Sequence, residues 1–396
     1  MYHKPIIKEP VIKSMLDDDL YKFTMQQAFL ELFPHAKGTY VFKNRGNHRF
    51  NMLFLDELSH HVNEFFPQLS LTENEALWLE STCPYLKPSY IQYLKNFRYN
   101  PNQVSMDLDE TNNLVLEIDG TCVEAMMWEV KLMATISELY FKMLDTEWSM
   151  DGQRSYAYCK AKRLSDNGCN FVDFGTRRRR SYEVQDLILQ EMSKFNGKGF
   201  LGTSNVHLSM KYGFSPKGTM AHEWVQAMQS LEGLKNSNYY AMNNWVRVYN
   251  GDLGIVLPDT LGTSMFLNNF SLRYAKLFDG VRWDSGDPYW FTDAIIGHYK
   301  KNNIDPRTKT IIYSNALDCD TAIDIQKYCY GKIKTSFGIG TYFTNDFGKD
   351  SPPLNMVIKL WGINDFPVVK ISDDEGKEMG NEEAIKNAKW VIENTL

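Results

Sequence analysis

Four consecutive arginines, Arg177 to Arg180, follow the apolar stretch Phe171-Val172-Asp173-Phe174 and the turn-former Gly175. Phe171 and Val172 fit a buried strand, and Gly175 permits a sharp turn with close backbone approach. Successive residues project in different directions, so at most one or two of the arginines can point into one site. Ser181 reads as the N-cap of the next helix, which sets cations against the positive end of the helix dipole. That local cost, with the planar guanidinium fork, points to an anionic partner, a carboxylate or a phosphate. A solvated helix start and a nucleic-acid patch are the competing readings. A formal net charge of −6 weakens the second.

Other segments offer complementary chemistry. His222 in Ala221-His222-Glu223-Trp224 follows KGTMA, which reads as a strand, and the spacing is not that of a zinc protease. A lone histidine is usually structural, but at a strand end it becomes a base, a nucleophile or a phosphoacceptor. VRWDSGDP brings Arg282, Asp284 and Asp287 into one strand-to-helix turn. Asp287 before Pro288 is explained as an N-cap. Asp284 is not, and its carboxylate suits ribose hydroxyls or a magnesium ion. FGIGTYFTND places Gly338 and Gly340 before Thr341, a strand end whose N–H groups can face one phosphate, although no nucleotide-binding glycine motif is matched. In DDDLYKF, three aspartates at a helix start are accounted for by capping and dipole complementarity. Tyr21 and Lys22 are not.

These segments need elements to hold them. The 396 residues allow one large α/β domain or two. Hydrophobic content of 43% and charged content of 23% are those of a globular chain. The six cysteines are scattered without metal spacing, no run approaches membrane-spanning length, and no apolar leader opens the chain. A reduced cytoplasmic location follows, with no membrane and no nucleic-acid partner. Residues 1–125 mix helices with alternating strands and read as an N-terminal α/β domain. Trp128–Leu144 reads as a long apolar helix. From there short apolar runs alternate with helical periodicity, the pattern of βαβ units. Polar residues recur at the strand ends: Asp173, Ser204, Asp259, Asp284, Ser314 and Gly338 to Gly340. Recurrence after nearly every strand favours a (β/α) barrel over an open sheet with one switch point. The expected fold is an irregular α/β barrel over 126–345 and a smaller α/β domain built from 1–125 with the C-terminal segment 346–396.

Taken in order, DDDLYKFTMQQAF, FKNRG, FVDFGTRRRRS, GTSNV, GTMAHEW, LPDTLGT, GVRWDSGDP, YSNALDCDTA and FGIGTYFTND resemble the nicotinate phosphoribosyltransferase family. The resemblance implies an α/β barrel with a smaller domain, working as a homodimer with shared active sites. It implies transfer of phosphoribose from phosphoribosyl pyrophosphate to nicotinate, coupled to ATP hydrolysis, in NAD salvage. Magnesium would travel with pyrophosphate and ATP, with no direct protein-held metal. Carried onto this chain, Phe174 stacks on nicotinate, with Tyr21 of the other protomer on its second face. Arg177 binds the carboxylate or a nearby phosphate, and Arg282 and Asp284 hold ribose and phosphate. Gly338, Gly340 and Thr341 take the 5′-phosphate. His222 is similar to the histidine phosphorylated from ATP, oriented by Asp259. Relatives that use nicotinamide carry aspartate where this chain has Ser204, after Gly202-Thr203. Serine there, with Thr203 beside it, is expected to favour the acid.

A nicotinamide or quinolinate phosphoribosyltransferase is the near alternative. A barrel glycosidase using Asp259 and Asp284 gives no role to the arginines, and a nucleic-acid-binding protein requires an extended basic face.

Overall fold

In a computed structural model of the chain, residues 7–374 and 376–395 are described. Eleven strands are described: β1 (Lys37–Asn44), β2 (Val104–Leu108), β3 (Leu114–Thr121), β4 (Phe171–Asp173), β5 (Phe200–Thr203), β6 (Ile255–Val256), β7 (Gly280–Trp283), β8 (Thr310–Tyr313), β9 (Lys334–Ile339), β10 (Met356–Ile363) and β11 (Phe366–Pro367). They form two sheets. The first is antiparallel, in the order β11-β10-β1-β3-β2. Leu114, Leu116 and Ile118 of β3 alternate inward with exposed neighbours, as a one-sided sheet requires. β10, from late in the chain, lies against β1 in register Phe42 to Ile358.

The second sheet is parallel, in the order β5-β4-β9-β8-β7-β6. Read as a ring, that is the chain order, with β9 paired back to β4 and one unpaired seam between β5 and β6. Strands of two to six residues, almost wholly buried, are joined by helices, as βαβ geometry demands. The mixed α/β class expected from the sequence is what the structure has. KGTMA is not a strand, however. It fills the seam as extended backbone, with Lys217 N donating to Thr203 O (2.9 Å) and Thr219 Oγ1 to Ile255 O (2.7 Å). Gly218, at φ +134°, takes a conformation closed to other residues and packs on Leu20 and Tyr21.

The helix Trp128–Met143 lies between the sheets. Thirteen of its sixteen residues are buried, including Glu129, Lys131 and Glu138. Such a helix has no solvent face, so its charges must be paired. It touches β10 on one side and the arginine turn on another. No helix among the described residues is long and apolar enough to cross a membrane.

Candidate active site

The run of four arginines divides into two pairs. Arg179 is fully buried and bidentate on Asp17, at 2.7 and 2.8 Å. Arg180 is fully buried, gives hydrogen bonds to Asn345 and Ser351, and stacks 3.5 Å from the Phe141 ring centroid. These two hold the turn in place. Arg177 and Arg178 remain for a ligand. Arg177 keeps 31% of its side-chain surface exposed, with Glu129 behind it at 3.8 Å. Ser181 caps the next helix through Val184 N, as read from the sequence.

The three aspartates were expected to serve the helix start. Asp19 is indeed the N-cap residue, but no side-chain cap bond is formed. Each carboxylate has its own buried partner instead. Asp17 takes Arg179 and Asn205, Asp18 takes Lys131 (2.5 Å), and Asp19 takes Ser204 (2.7 Å). Capping could not explain the burial of three carboxyls; ion pairs account for Asp17 and Asp18, and a serine hydroxyl meets Asp19. Burial pushes Asp18 up to about 6 even against Lys131. Asp17 is held down at about 2, because Arg179 overcomes its burial. Lys22 is also buried, between Glu129 (2.5 Å) and Glu223 (2.8 Å).

Phe174 follows β4 directly. Its ring lies on Gly338, where an added Cβ would come 2.3 Å from the ring. Glycine is therefore required for the ring's seat, whatever its role with phosphate. Arg282 lies 5.8 Å from the same ring. β4 pairs with β5 at Asp173 and Thr203, which sets Ser204 beside Phe174. Thr203, expected to touch substrate, is fully buried and donates to Asp173 Oδ2 at 2.7 Å, so its hydroxyl supports the strand end. Tyr21 is within electrostatic reach of Arg177, Asp19 and Glu129 of its own chain. Gly340 and Thr341 open the short helix after β9. Gly338→Ala should raise the KM for a stacking aromatic substrate about tenfold with unchanged circular dichroism, because the displaced ring loses contact worth about 1 kcal/mol or more.

At the ends of β6 and β7, His222 Nε2 is 2.8 Å from Asp259 Oδ1 and 3.7 Å from Asp284 Oδ2. Asp259 Oδ2 accepts from Ser285 at 2.7 Å. Asp284 accepts from Arg282 (3.1 Å) and Ser314 (2.9 Å). The histidine and the two carboxylates have ligand atoms within 4.8 Å of one another, a spacing a divalent ion could span. Lys370 already supplies positive charge there, 2.9 Å from Asp259 and 3.8 Å from Asp284. Burial alone would raise both carboxyls. His222 and Lys370 hold Asp259 well below the usual range, and Arg282 and Lys370 hold Asp284 at about 2. Burial, then Lys370, pushes His222 below its ordinary value despite Asp259. Asp287 is the N-cap of the helix Pro288–Lys301 through Trp290 N.

Three cations had no role from sequence reading. Lys359 of β10 and Lys370 come from the C-terminal segment, and Arg45 follows β1. Burial and the nearby Arg177 and Arg45 lower Arg178 to about 10, and burial, with Arg177 and Lys370 against it, takes Lys359 to about 8. With Arg177 and Arg282 they form a cluster of cations that feel one another's charge, set among Glu129, Asp259 and Asp284. Lys370 arrives because Ile371 N donates to Thr260 O, and Asp373 accepts from Thr263 N. Nothing in local spacing signals this, since the partners meet only through the fold.

Comparison with known proteins bears on this arrangement. A model of the nicotinate phosphoribosyltransferase (NAPRTase) family matches residues 169–396, and one of that family's N-terminal domain matches 16–137. A nicotinate phosphoribosyltransferase of Methanosarcina mazei is 47% identical over 401 residues, covering 96% of this chain and 98% of the relative. One of Chromohalobacter salexigens is 43% identical, covering 96% and 98%. Among solved structures, the nicotinate phosphoribosyltransferase of Porphyromonas gingivalis superposes with a TM-score of 0.94 at 39% identity, covering 96% of this chain and 100% of that one.

Proposed function

Because the chain belongs to the nicotinate phosphoribosyltransferase family, we propose that this cationic cluster joins nicotinate to the phosphoribosyl group of phosphoribosyl pyrophosphate, releasing pyrophosphate. One observation carries the reading: an aromatic ring, Phe174, leaves the end of β4 next to Ser204, with the Arg282 guanidinium 5.8 Å from it and the turn that carries Arg177 directly after it. A flat anion and a polyphosphate are the ligands that suit it. Carbon 1 of the ribose gains oxocarbenium character as its bond to pyrophosphate breaks. The pyridine nitrogen supplies the pair for the new bond and needs no deprotonation. The protein therefore positions and neutralises. Arg177 meets the nicotinate carboxylate. Arg45, Arg178, Lys359 and Lys370 offset phosphate charge, and Arg282 with Asp284 fixes the ribose. Magnesium, carried on the phosphate oxygens, would supply further neutralisation of the leaving group. A homodimer with shared sites, in the cytoplasm and serving NAD salvage, belongs to the same proposal.

His222 is proposed to couple ATP hydrolysis through a phosphohistidine. Asp259 is held ionised and can only accept, so Nε2 carries the imidazole hydrogen and Nδ1 keeps its lone pair. Nδ1 is then the nucleophile toward the γ-phosphate, with ADP leaving. The added charge would draw the side chains of Lys370 and Arg282 inward. Incubation with γ-labelled ATP should give an acid-labile phosphoprotein that His222→Asn lacks; equal labelling of the variant removes the assignment. The lowered histidine value fixes the pH sign. Protonation silences Nδ1, so labelling should stay level through pH 7 and fall only below the ordinary value of 6.5. A fall beginning above pH 7 would mean the imidazolium is stabilised instead.

A further inference from the structure

Ser204 has one hydroxyl hydrogen, and the structure already uses it. Its Oγ donates to Asp19 Oδ1 at 2.7 Å, and both residues are buried. Backbone contacts fix the pair. Leu20 N donates to Ser204 O (2.8 Å), Val206 N donates to Asp18 O (2.9 Å), and Asp19 bridges Asn205 as a β-pair. A serine held this way offers a ligand lone pairs only. That suits an amide N–H and repels a carboxylate, the opposite of what nicotinate needs. The groups facing Asp19 are Thr176 and Arg177 from the arginine turn, Glu129 from the central helix, Asp173 from β4, Ser204, and Asp18 and Tyr21 on its own segment. Arg177 is the one cation among these, against three other carboxylates.

We propose that Asp19 sets the choice between acid and amide substrates: the acid binds together with one proton, held on Asp19, and the Ser204 hydroxyl turns from Asp19 to the substrate. The proton comes from solvent. Protonated Asp19 donates its O–H to Ser204 Oγ, and Ser204 donates its own hydrogen to the substrate carboxylate. No covalent bond but the new O–H is made. Asp19 becomes neutral, leaving Arg177 to balance the substrate's charge, whereas an amide requires no such proton. Burial already lifts the Asp19 carboxyl above its ordinary range, against Ser204, Thr176 and Arg177. The inference rests on the nicotinate reading above, because it takes Ser204 to face the substrate.

Calorimetric titration of nicotinate into the full-length protein, near pH 7 in buffers of different ionisation enthalpy, counts the proton directly. The wild type should take up about one proton per site. In Asp19→Asn the side-chain amide donates permanently to Ser204. Uptake should vanish, while nicotinate affinity stays within about fivefold of wild type. Ser204→Ala should bind nicotinate at least about tenfold more weakly, whether or not Asp19→Asn folds. Nicotinate binding without proton uptake overturns the proposal. So does uptake in Asp19→Asn equal to wild type, or uptake lost in Asp173→Asn instead. If nicotinate does not bind the wild type but nicotinamide does, the substrate reading itself fails.

Discussion

Asp284→Asn lowers kcat/KM for mononucleotide formation by about 10²–10³-fold while leaving the fold intact, an effect in the range of losing one preorganised charge contact to a transition state. The geometry gives the reason. Asp284 is the carboxylate shared by Arg282, Ser314, Lys370 and His222. Asparagine fills the same space and can keep one hydrogen bond, but it removes the negative charge that aims Arg282 and Lys370. Those cations would then relax toward whatever phosphate is present, binding ground-state pyrophosphate better and the separating ion pair worse. The expected pattern is a large fall in kcat with little change in the KM for phosphoribosyl pyrophosphate. A loss confined to KM would instead make Asp284 a simple ground-state ligand. Asparagine fills the same space, and the Arg282–Asp284 contact keeps only 20% and 21% of its side-chain surface exposed, so the melting temperature should change far less than kcat.

Arg179→Ala has the largest expected effect on stability, about 3–5 kcal/mol, the range for breaking a buried ion pair by removing one partner. Asp17 would keep its burial and lose both guanidinium contacts, and the desolvation that now works against it would go unanswered. The sign with pH follows. Asp17 is held below its ordinary value in the folded protein, so its stabilising share is present above that value and lost as pH falls toward about 2. The variant should therefore lose less stability to acid than wild type does. Urea unfolding of Arg179→Ala and Arg177→Ala at pH 7 separates the two arginine roles. Arg177→Ala should lose clearly less, since its contact with the buried Glu129 is long at 3.8 Å and Glu129 keeps Lys22 at 2.5 Å. Equal losses in both variants would show the run to be one structural unit.

Much of this site was legible in the sequence, and the part that was not has a physical cause. Polar residues at strand ends could be seen because a parallel sheet with buried strands confines side-chain chemistry to those ends. Asp173, Ser204, Asp259, Asp284 and Ser314 all follow that rule. That only one or two arginines could share a site was also readable, but which ones was not. Arg179 and Arg180 found partners in Asp17, Asn345 and Ser351, far away in the chain. The aspartates were misread for the same reason. A local cap explains acidic residues at a helix start, and only tertiary contact reveals Lys131 and Arg179 behind them. Lys359 and Lys370 lie on segments with no motif, and reach the site because β10 pairs with β1 and Val368–Asp373 docks beside Asp259. KGTMA carried strand-like residues, and it does lie extended between β5 and β6, but it makes single bonds to Thr203 and Ile255 rather than a ladder, with Gly218 at positive φ between them.

The most direct measurement is product formation by the purified protein given phosphoribosyl pyrophosphate and magnesium, with nicotinate and nicotinamide in parallel, with and without ATP. The expected result is nicotinate mononucleotide and pyrophosphate in equal amounts, faster with ATP, and at least about tenfold preference in kcat/KM for nicotinate, the difference one charge-assisted contact supplies. Equal or better use of nicotinamide, or no mononucleotide under any of these conditions, would contradict it.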